Sequence, residues 1–207
     1  MSNKIYPSIP TREDLINESI ELKNLISNFF DILNPKLKKD GQVFINFADP
    51  FIEKYHIGKD YFEAANKNNL EFSGNRIWKK DPAWMNSPWI SCSNYPVLEW
   101  EYLWTFSKGN RPLKKECAKV ANRGIWEFKS VKSFKEHPAE FPIGLPNRVI
   151  EIYTNEGDTI LDPFLGSGTT ARACKDLGRK CIGIEISKKY CDIAVKRLGQ
   201  EVFDLNV

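Results

Sequence analysis

Two glycines, Gly166 and Gly168, stand between an acid at position 162 and another at position 185. In ILDPFLGSGTTARAC, 160 to 174, an apolar run ends at Asp162, bends through the glycines and enters a helical pattern. This is the spelling of a strand–turn–helix nucleotide site. Gly166 takes backbone angles closed to other residues, and Gly168 allows close approach without a side chain. The amides that open the helix then face the ligand. The fuller GxGxxG fingerprint is met only as GSGTTA, with Ala171 third. Glu185 adds weight, because an acid 19 residues after Gly166, at the end of the next strand, can accept both hydroxyls of a ribose. Its other use is to cap the helix that follows. Charge separates the candidate cofactors. Asp162 sits badly beside a pyrophosphate and well beside a cationic amino-acid head, which favours S-adenosylmethionine over NAD.

The elements that position these residues read as alternating strands and helices. Apolar spacing in 11–34 predicts a helix with Thr11 as its cap and Pro35 as its stop. Val43 to Phe47 is a nearly continuous apolar run, as expected of a buried parallel strand. A helix over 59–68 and strands near 70–79 and 97–109 follow, with a shorter strand in GIWEFK and a helix over 146–154. The last 50 residues read strand 158–161, turn 165–168, helix 169–177 ended by Gly178, strand 180–186, and helix 187–198 capped by Ser187. A βαβα order implies a parallel sheet covered by helices.

Composition sets the bounds. The 207 residues, 42% hydrophobic, suffice for one domain with a sizeable core. Cys92, Cys117, Cys174, Cys181 and Cys191 form no CxxC pair, and His56 and His137 lie far apart. No structural zinc is expected, and scattered thiols fit a reducing cytoplasm. Cys174, Cys181 and Cys191 read as buried small hydrophobes. No apolar run reaches membrane-spanning length. The net charge of +3 is mild, but residues 108–135 carry nine Lys and Arg against Glu116 and Glu127. That segment is either a solvated surface or a face for a polyanion.

LDPFLGSGTT closely resembles the cofactor motif of bacterial DNA methyltransferases that act on exocyclic amino groups, the N4-cytosine and N6-adenine enzymes in permuted order. HPAEFPIGLPNRVI, 137–150, resembles the motif that precedes it there, and CIGIEISKKY, 181–190, the ribose-binding segment. KLKKDGQVFINFAD, RIWKKD and EWEYLWTFSKG resemble further strands of the same domain. The resemblance covers nearly the whole chain. It implies an α/β methyltransferase fold, Rossmann-like, with a mostly parallel sheet, as one domain over 1–207. It implies S-adenosylmethionine as cofactor and double-stranded DNA as partner, with the target base flipped out. His137, Pro138, Ala139, Phe141 and Pro142 would line the methionine side, together with Asp162, Pro163, Phe164, Gly166, Ser167, Gly168 and Thr169. Glu185 would hold the ribose. Methyl transfer would be direct, with no cysteine nucleophile and no metal. A short basic target-recognition insert falls at about 110–134, where Arg111, Lys114, Lys115, Arg123 and Lys129 would meet DNA. Among the tryptophans, Trp100 and Trp104 read as core, Trp84 and Trp89 as better stacking candidates, and Trp126 as another.

The family's chemistry resides in a tetrad of the type (Asp/Ser/Asn)-Pro-Pro-(Tyr/Phe), and these 207 residues contain no Pro-Pro pair. Asp49-Pro50-Phe51 and Ser87-Pro88-Trp89 are echoes in the wrong places. The catalytic residues are therefore not assigned. The tetrad's strand belongs mid-sheet, beside 158–161, and its loss exposes backbone donors and acceptors. Two expectations follow: a second polypeptide supplies the motif, or the chain is a non-catalytic cofactor- or DNA-binding subunit or remnant. An NAD-dependent oxidoreductase is a rival that leaves HPAEFP unexplained. A plain nucleic-acid-binding module would rest on 108–135 alone.

Overall fold

The computed structural model describes residues 12–48, 56–80, 99–109, 123–129 and 140–199. The chain divides into two compact units, Met1–Asn75 with Tyr102–Arg111, and Arg76–Glu101 with Pro112–Val207. One sheet runs β1-β3-β2-β4 and a second is β5-β6.

In the first unit, α1 (Arg12–Leu33) packs beside α2 (Ile57–Lys67). Ile26 and Phe30 of α1 enter a core with Val43, Ile45, Phe47, Ala64, Ala65, Leu70 and Phe106. Pro35 lies in a 3-10 turn, Asn34–Lys36, that ends the helical run. The two helices are also tied by charge: Lys67 Nζ reaches Asp31 Oδ2 at 2.8 Å, and Asn68 Nδ2 donates to Asp31 Oδ1 at 2.8 Å. Strand β1 (Gln42–Phe47) pairs with β3 (Trp100–Ser107) in antiparallel register, from Gln42 opposite Ser107 to Phe47 opposite Tyr102. The parallel expectation for this strand is thus corrected. Its burial alternates, with Val43, Ile45 and Phe47 inward. The unbroken apolar spelling arose because Phe44 serves the half-covered face, where antiparallel sheets normally carry polar residues. Trp104 packs edge-on to Phe47 at 5.1 Å, as a core residue should, whereas Trp100 at the strand's start is exposed.

Strand β2 (Glu71–Lys80) passes from the first unit into the second, where its Ile77 to Lys80 pair in parallel with Ile125 to Phe128 of β4 (Ile125–Phe128). Trp126 is only 1% exposed, with the Arg76 and Arg148 guanidinium groups each 5.5 Å from its ring. It is a core residue and not a stacking surface for a base. Helix α3 (Gly144–Tyr153) follows, with Pro146 in its first turn, where a missing N–H costs nothing. Then come β5 (Thr159–Asp162), α4 (Thr169–Asp176), β6 (Lys180–Gly183) and α5 (Lys188–Gly199). Gly178, at φ 70, turns the chain out of α4 as its position implied. Ile150, Ala173 and Cys174 form the local core, with Ile160, Leu177 and Cys181 against it. Cys174 is buried as expected; Cys181 and Cys191 are only half-buried. A hydrogen bond with Cys181, reinforced by burial, drives the Cys174 thiol far above the usual range.

Phe30 is fully buried and meets Phe29 and Phe106 edge-on, at 5.2 and 5.8 Å. Phe30→Ala should therefore destabilise the first unit by about 3–5 kcal/mol, measured as a fall in urea midpoint with the slope unchanged.

Candidate functional site: the glycine turn

Parallel pairing creates the site. β5 and β6 align Thr159 with Lys180 and Asp162 with Gly183, so both strands finish at the same edge. In parallel sheets this carboxyl edge is where ligands bind. The ladder runs one step further: Ile184 N–H donates to the Asp162 carbonyl at 2.9 Å, and Leu165 N–H to the Ile184 carbonyl at 3.0 Å. Strand β6 is thus shorter than 180–186, and Glu185 lies just past its end.

Glu185 is held by two backbone amides. Gly166 N–H donates to Oε2 at 2.8 Å, and Ser187 N–H donates to Oε1 at 2.8 Å. The carboxylate therefore bridges the first glycine and the entry to α5. It therefore steadies the entry to the last helix, the second use open to this acid, and stands at the glycine turn. Cys191 N–H donates to the Ser187 carbonyl at 3.0 Å, the bond expected of a residue at the N-cap.

The turn itself is left-handed twice, with φ 55 at Gly166 and φ 85 at Gly168. Asp162 shapes its approach, its Oδ1 accepting the Phe164 N–H at 3.0 Å. Phe164 is 67% exposed at the turn. Gly168 needs to be glycine for a reason beyond its angles. A Cβ there would lie 2.8 Å from the Ala194 Cβ of α5. Its close approach is to a neighbouring helix, not to open space reserved for a ligand. Among the described residues no side chain caps α4 at Gly168, and Arg172 N–H donates to the Gly168 carbonyl at 2.9 Å. The amides of the first turn have no carbonyl four residues back within the helix, which makes this end receptive to negative charge.

Ser167 and Thr169 are buried. Their hydroxyls face Glu140, donating to its Oε1 at 3.1 and 2.9 Å. Arg197, from the end of α5, donates from Nη1 to the Thr169 hydroxyl at 2.6 Å and to that of Ser167 at 3.3 Å. Its Nη2 forms an ion pair with Glu140 Oε1. Burial alone would raise the Glu140 carboxyl above its ordinary value. The Arg197, Thr169 and Ser167 hydrogen bonds and the Arg197 charge outweigh it, so the net shift is downward.

Of the expected cofactor residues, the structure brings Asp162, Pro163, Phe164, Gly166, Ser167, Gly168, Thr169 and Glu185 to one turn. Phe141 and Pro142 stand just before α3, half-buried and buried. His137, Pro138 and Ala139 lie outside the described residues. So do Arg111, Lys114 and Lys115 of the expected DNA face. Arg123 and Lys129 are exposed on either side of β4. Glu140 and Arg197 had no assigned role. Glu140 stands inside HPAEFP, and an acid one step from residues meant to touch a cofactor was the available signal. Arg197 is 28 residues from Thr169, and nothing local marks it. Among the described residues, no group of three metal-binding side chains occurs and no helix is long and apolar enough to cross a membrane.

Fold and turn together define an α/β domain of the Rossmann-like type. A family model described as DNA methylase, covering N6- and N4-acting enzymes, matches residues 11–196. The chain belongs to this family of amino-methylating DNA methylases. It is 41% identical over 168 residues to the type II methyltransferase M.BglI of Bacillus subtilis, covering 78% of this chain and 46% of that protein. The chain thus spans about half the length of that relative. Among solved structures, an M1.HpyAVI–SAM complex superposes with a TM-score of 0.67 at 26% identity, over 89% of this chain and 85% of the other. The PvuII cytosine-N4-specific DNA methyltransferase shares the fold, with a TM-score of 0.73 at 20% identity over 100% and 77%.

Gly168→Ala meets a left-handed backbone cost of roughly 1–2 kcal/mol and, in addition, the collision with Ala194. Gly157→Ala meets only the backbone cost, since at φ 80 nothing lies within 4 Å of its added Cβ. Thermal unfolding of the two variants should therefore rank Gly168→Ala as clearly the more damaging.

Proposed function

We propose that this chain binds S-adenosylmethionine at the glycine turn and serves methylation of an exocyclic amino group, N4 of cytosine or N6 of adenine, in double-stranded DNA. The observation that carries the reading is the oriented Glu185 carboxylate beside Gly166, with Asp162 at the end of the adjoining strand. The donor set suits the group. The uncapped amides of α4 complement an amino-acid carboxylate, Asp162 an ammonium, and Glu185 the ribose hydroxyls. Phe164 offers an exposed aromatic surface beside them. Phe141 and Pro142, with His137, Pro138 and Ala139, complete the methionine side in this reading. Ser167 and Thr169 contribute backbone amides, because their hydroxyls are engaged inward. When bound, the cofactor supplies an electrophilic methyl group on a sulfonium. The protein's task is then alignment with the acceptor nitrogen, worth up to about 7–11 kcal/mol. The nicotinamide alternative gains no support, since the family match spans both HPAEFP and LDPFLGSGTT.

DNA would meet the basic faces, with Arg123 and Lys129 flanking β4 and Arg111, Lys114 and Lys115 in the preceding segment. Lys129 contacts would be to phosphate, and so salt-sensitive. The Pro-Pro tetrad would come from a further polypeptide segment. Supporting this, β5 and β6 have only each other as strand partners among the described residues, which leaves sheet edges at which a further strand could pair. The cytoplasm, where thiols stay reduced and host DNA is reached, is the matching compartment.

Titration calorimetry tests the cofactor assignment. S-adenosylmethionine should bind, and Glu185→Ala should weaken it roughly 10–100-fold, the worth of hydrogen bonds to a charged group. An unchanged affinity would overturn the role of Glu185. Labelled methyl transfer to DNA should appear when a tetrad-bearing segment of a relative is supplied and stay at background without it.

A further inference from the structure

Gly166 and Gly168 give the turn its angles but no stiffness, because each has the widest backbone freedom of any residue. The only side chain between them is Ser167. It and Thr169 on the far side of Gly168 are the points from which the turn can be held. Both are buried, and both end on the same carboxylate oxygen, Glu140 Oε1. That oxygen also takes the Arg197 guanidinium, whose other nitrogen donates to both hydroxyls. A hydroxyl that donates to one partner and accepts from another has its rotor fixed. Here both are fixed, by an acid 8% exposed and an arginine 26% exposed.

The pair is itself anchored. Arg197 lies in the last turn of α5. Its carbonyl accepts Arg172 Nη1 of α4 at 3.2 Å, and the next carbonyl, Leu198, accepts Lys175 Nζ at 2.7 Å. Three segments that are remote in sequence thus converge: the lead into α3, the glycine turn, and the end of α5.

We propose that Glu140 and Arg197 are positioning residues, which pull the Ser167 and Thr169 side chains inward and so present the backbone amides of the turn to the cofactor. This rests on the cofactor reading given above. Neither residue is assigned a contact with the ligand; both act through the turn. The arrangement explains why two hydroxyl residues in a ligand-facing loop point away from the ligand side. It also explains a buried acid in a segment otherwise built of His, Pro, Ala and Phe.

The test compares two ligands, S-adenosylmethionine and S-adenosylhomocysteine, which differ by the methyl group and its positive charge. Glu140→Gln keeps the shape and removes the charge. It should weaken both ligands by the same factor, about tenfold, the scale of one charge-assisted hydrogen bond. Thr169→Val, which deletes one hydroxyl link at nearly constant volume, should do the same to a smaller degree, and it decides the matter if Glu140→Gln does not fold. A residue that merely stabilised the fold would lower the melting temperature and leave the affinity of the folded protein unaltered. Unaltered affinity in both variants overturns the proposal. Weakening confined to the charged ligand also overturns it, because Glu140 would then be sensing the sulfonium directly. If the unsubstituted protein binds neither ligand, it is the cofactor reading that fails.

Discussion

The bridge made by the Glu185 carboxylate is the contact on which the arrangement depends. One oxygen takes the Gly166 amide and the other the Ser187 amide. Two loops that leave the sheet at the same edge are thereby fixed to one another by a single side chain. The parallel register makes this possible. With Asp162 level with Gly183, a residue two places beyond β6 falls beside a residue four places beyond β5. An antiparallel pairing would put those loops at opposite ends, and no acid could join them.

A second acid works from the other flank of the turn. Glu140 gathers Ser167, Thr169 and Arg197 on one oxygen, away from bulk water. A buried carboxylate is tolerable only when its charge is answered, and breaking such a set leaves an uncompensated ion. Its lowered pKa states the same balance. The order it gives is present above the ordinary carboxylate range and is lost only as pH falls through the depressed value. The turn is held by Glu185 through backbone amides and by Glu140 through side chains. Such double support suits a loop that must stay ordered despite its two glycines.

Much of this was legible in the sequence for reasons that are local. Strands, the glycine turn and the helix after it are written in neighbouring residues, so 160–174 announced its structure directly. The place of Glu185 beside the turn was legible because strand and helix lengths fix its spacing from Gly166. The antiparallel β1 was not, since the direction of a partner strand is decided by β3, more than 50 residues away. Trp126 looked available for a base, but the two arginines enclosing it come from β2 and α3. The Glu140–Arg197 pair was hidden for the same physical reason. Nothing in KRLG says that its arginine returns to a turn 28 residues earlier; only the packing of α5 on Gly168 brings it there.

The apolar surface of the β5–β6 sheet has a different character from the turn it supports. Isoleucines in short parallel strands are normally covered on both faces, because crossover helices lie on either side. Here Ile182 and Ile184 are more than half exposed, whereas Cys181 of β6, packed against the local core, is half-buried. Alternation therefore survives with one face packed by α4 and the other uncovered. The residues chosen for that other face are those of a core and not of a water-facing strand. A surface of this composition is unfavourable by roughly 25 cal/mol for each Å² left in water, so its retention fits a strand pair built to be covered. The polar architecture of the turn and the apolar character of the sheet beneath it thus serve separate ends. The first fixes the shape of the turn, and the second suits a face that a further layer of structure would cover.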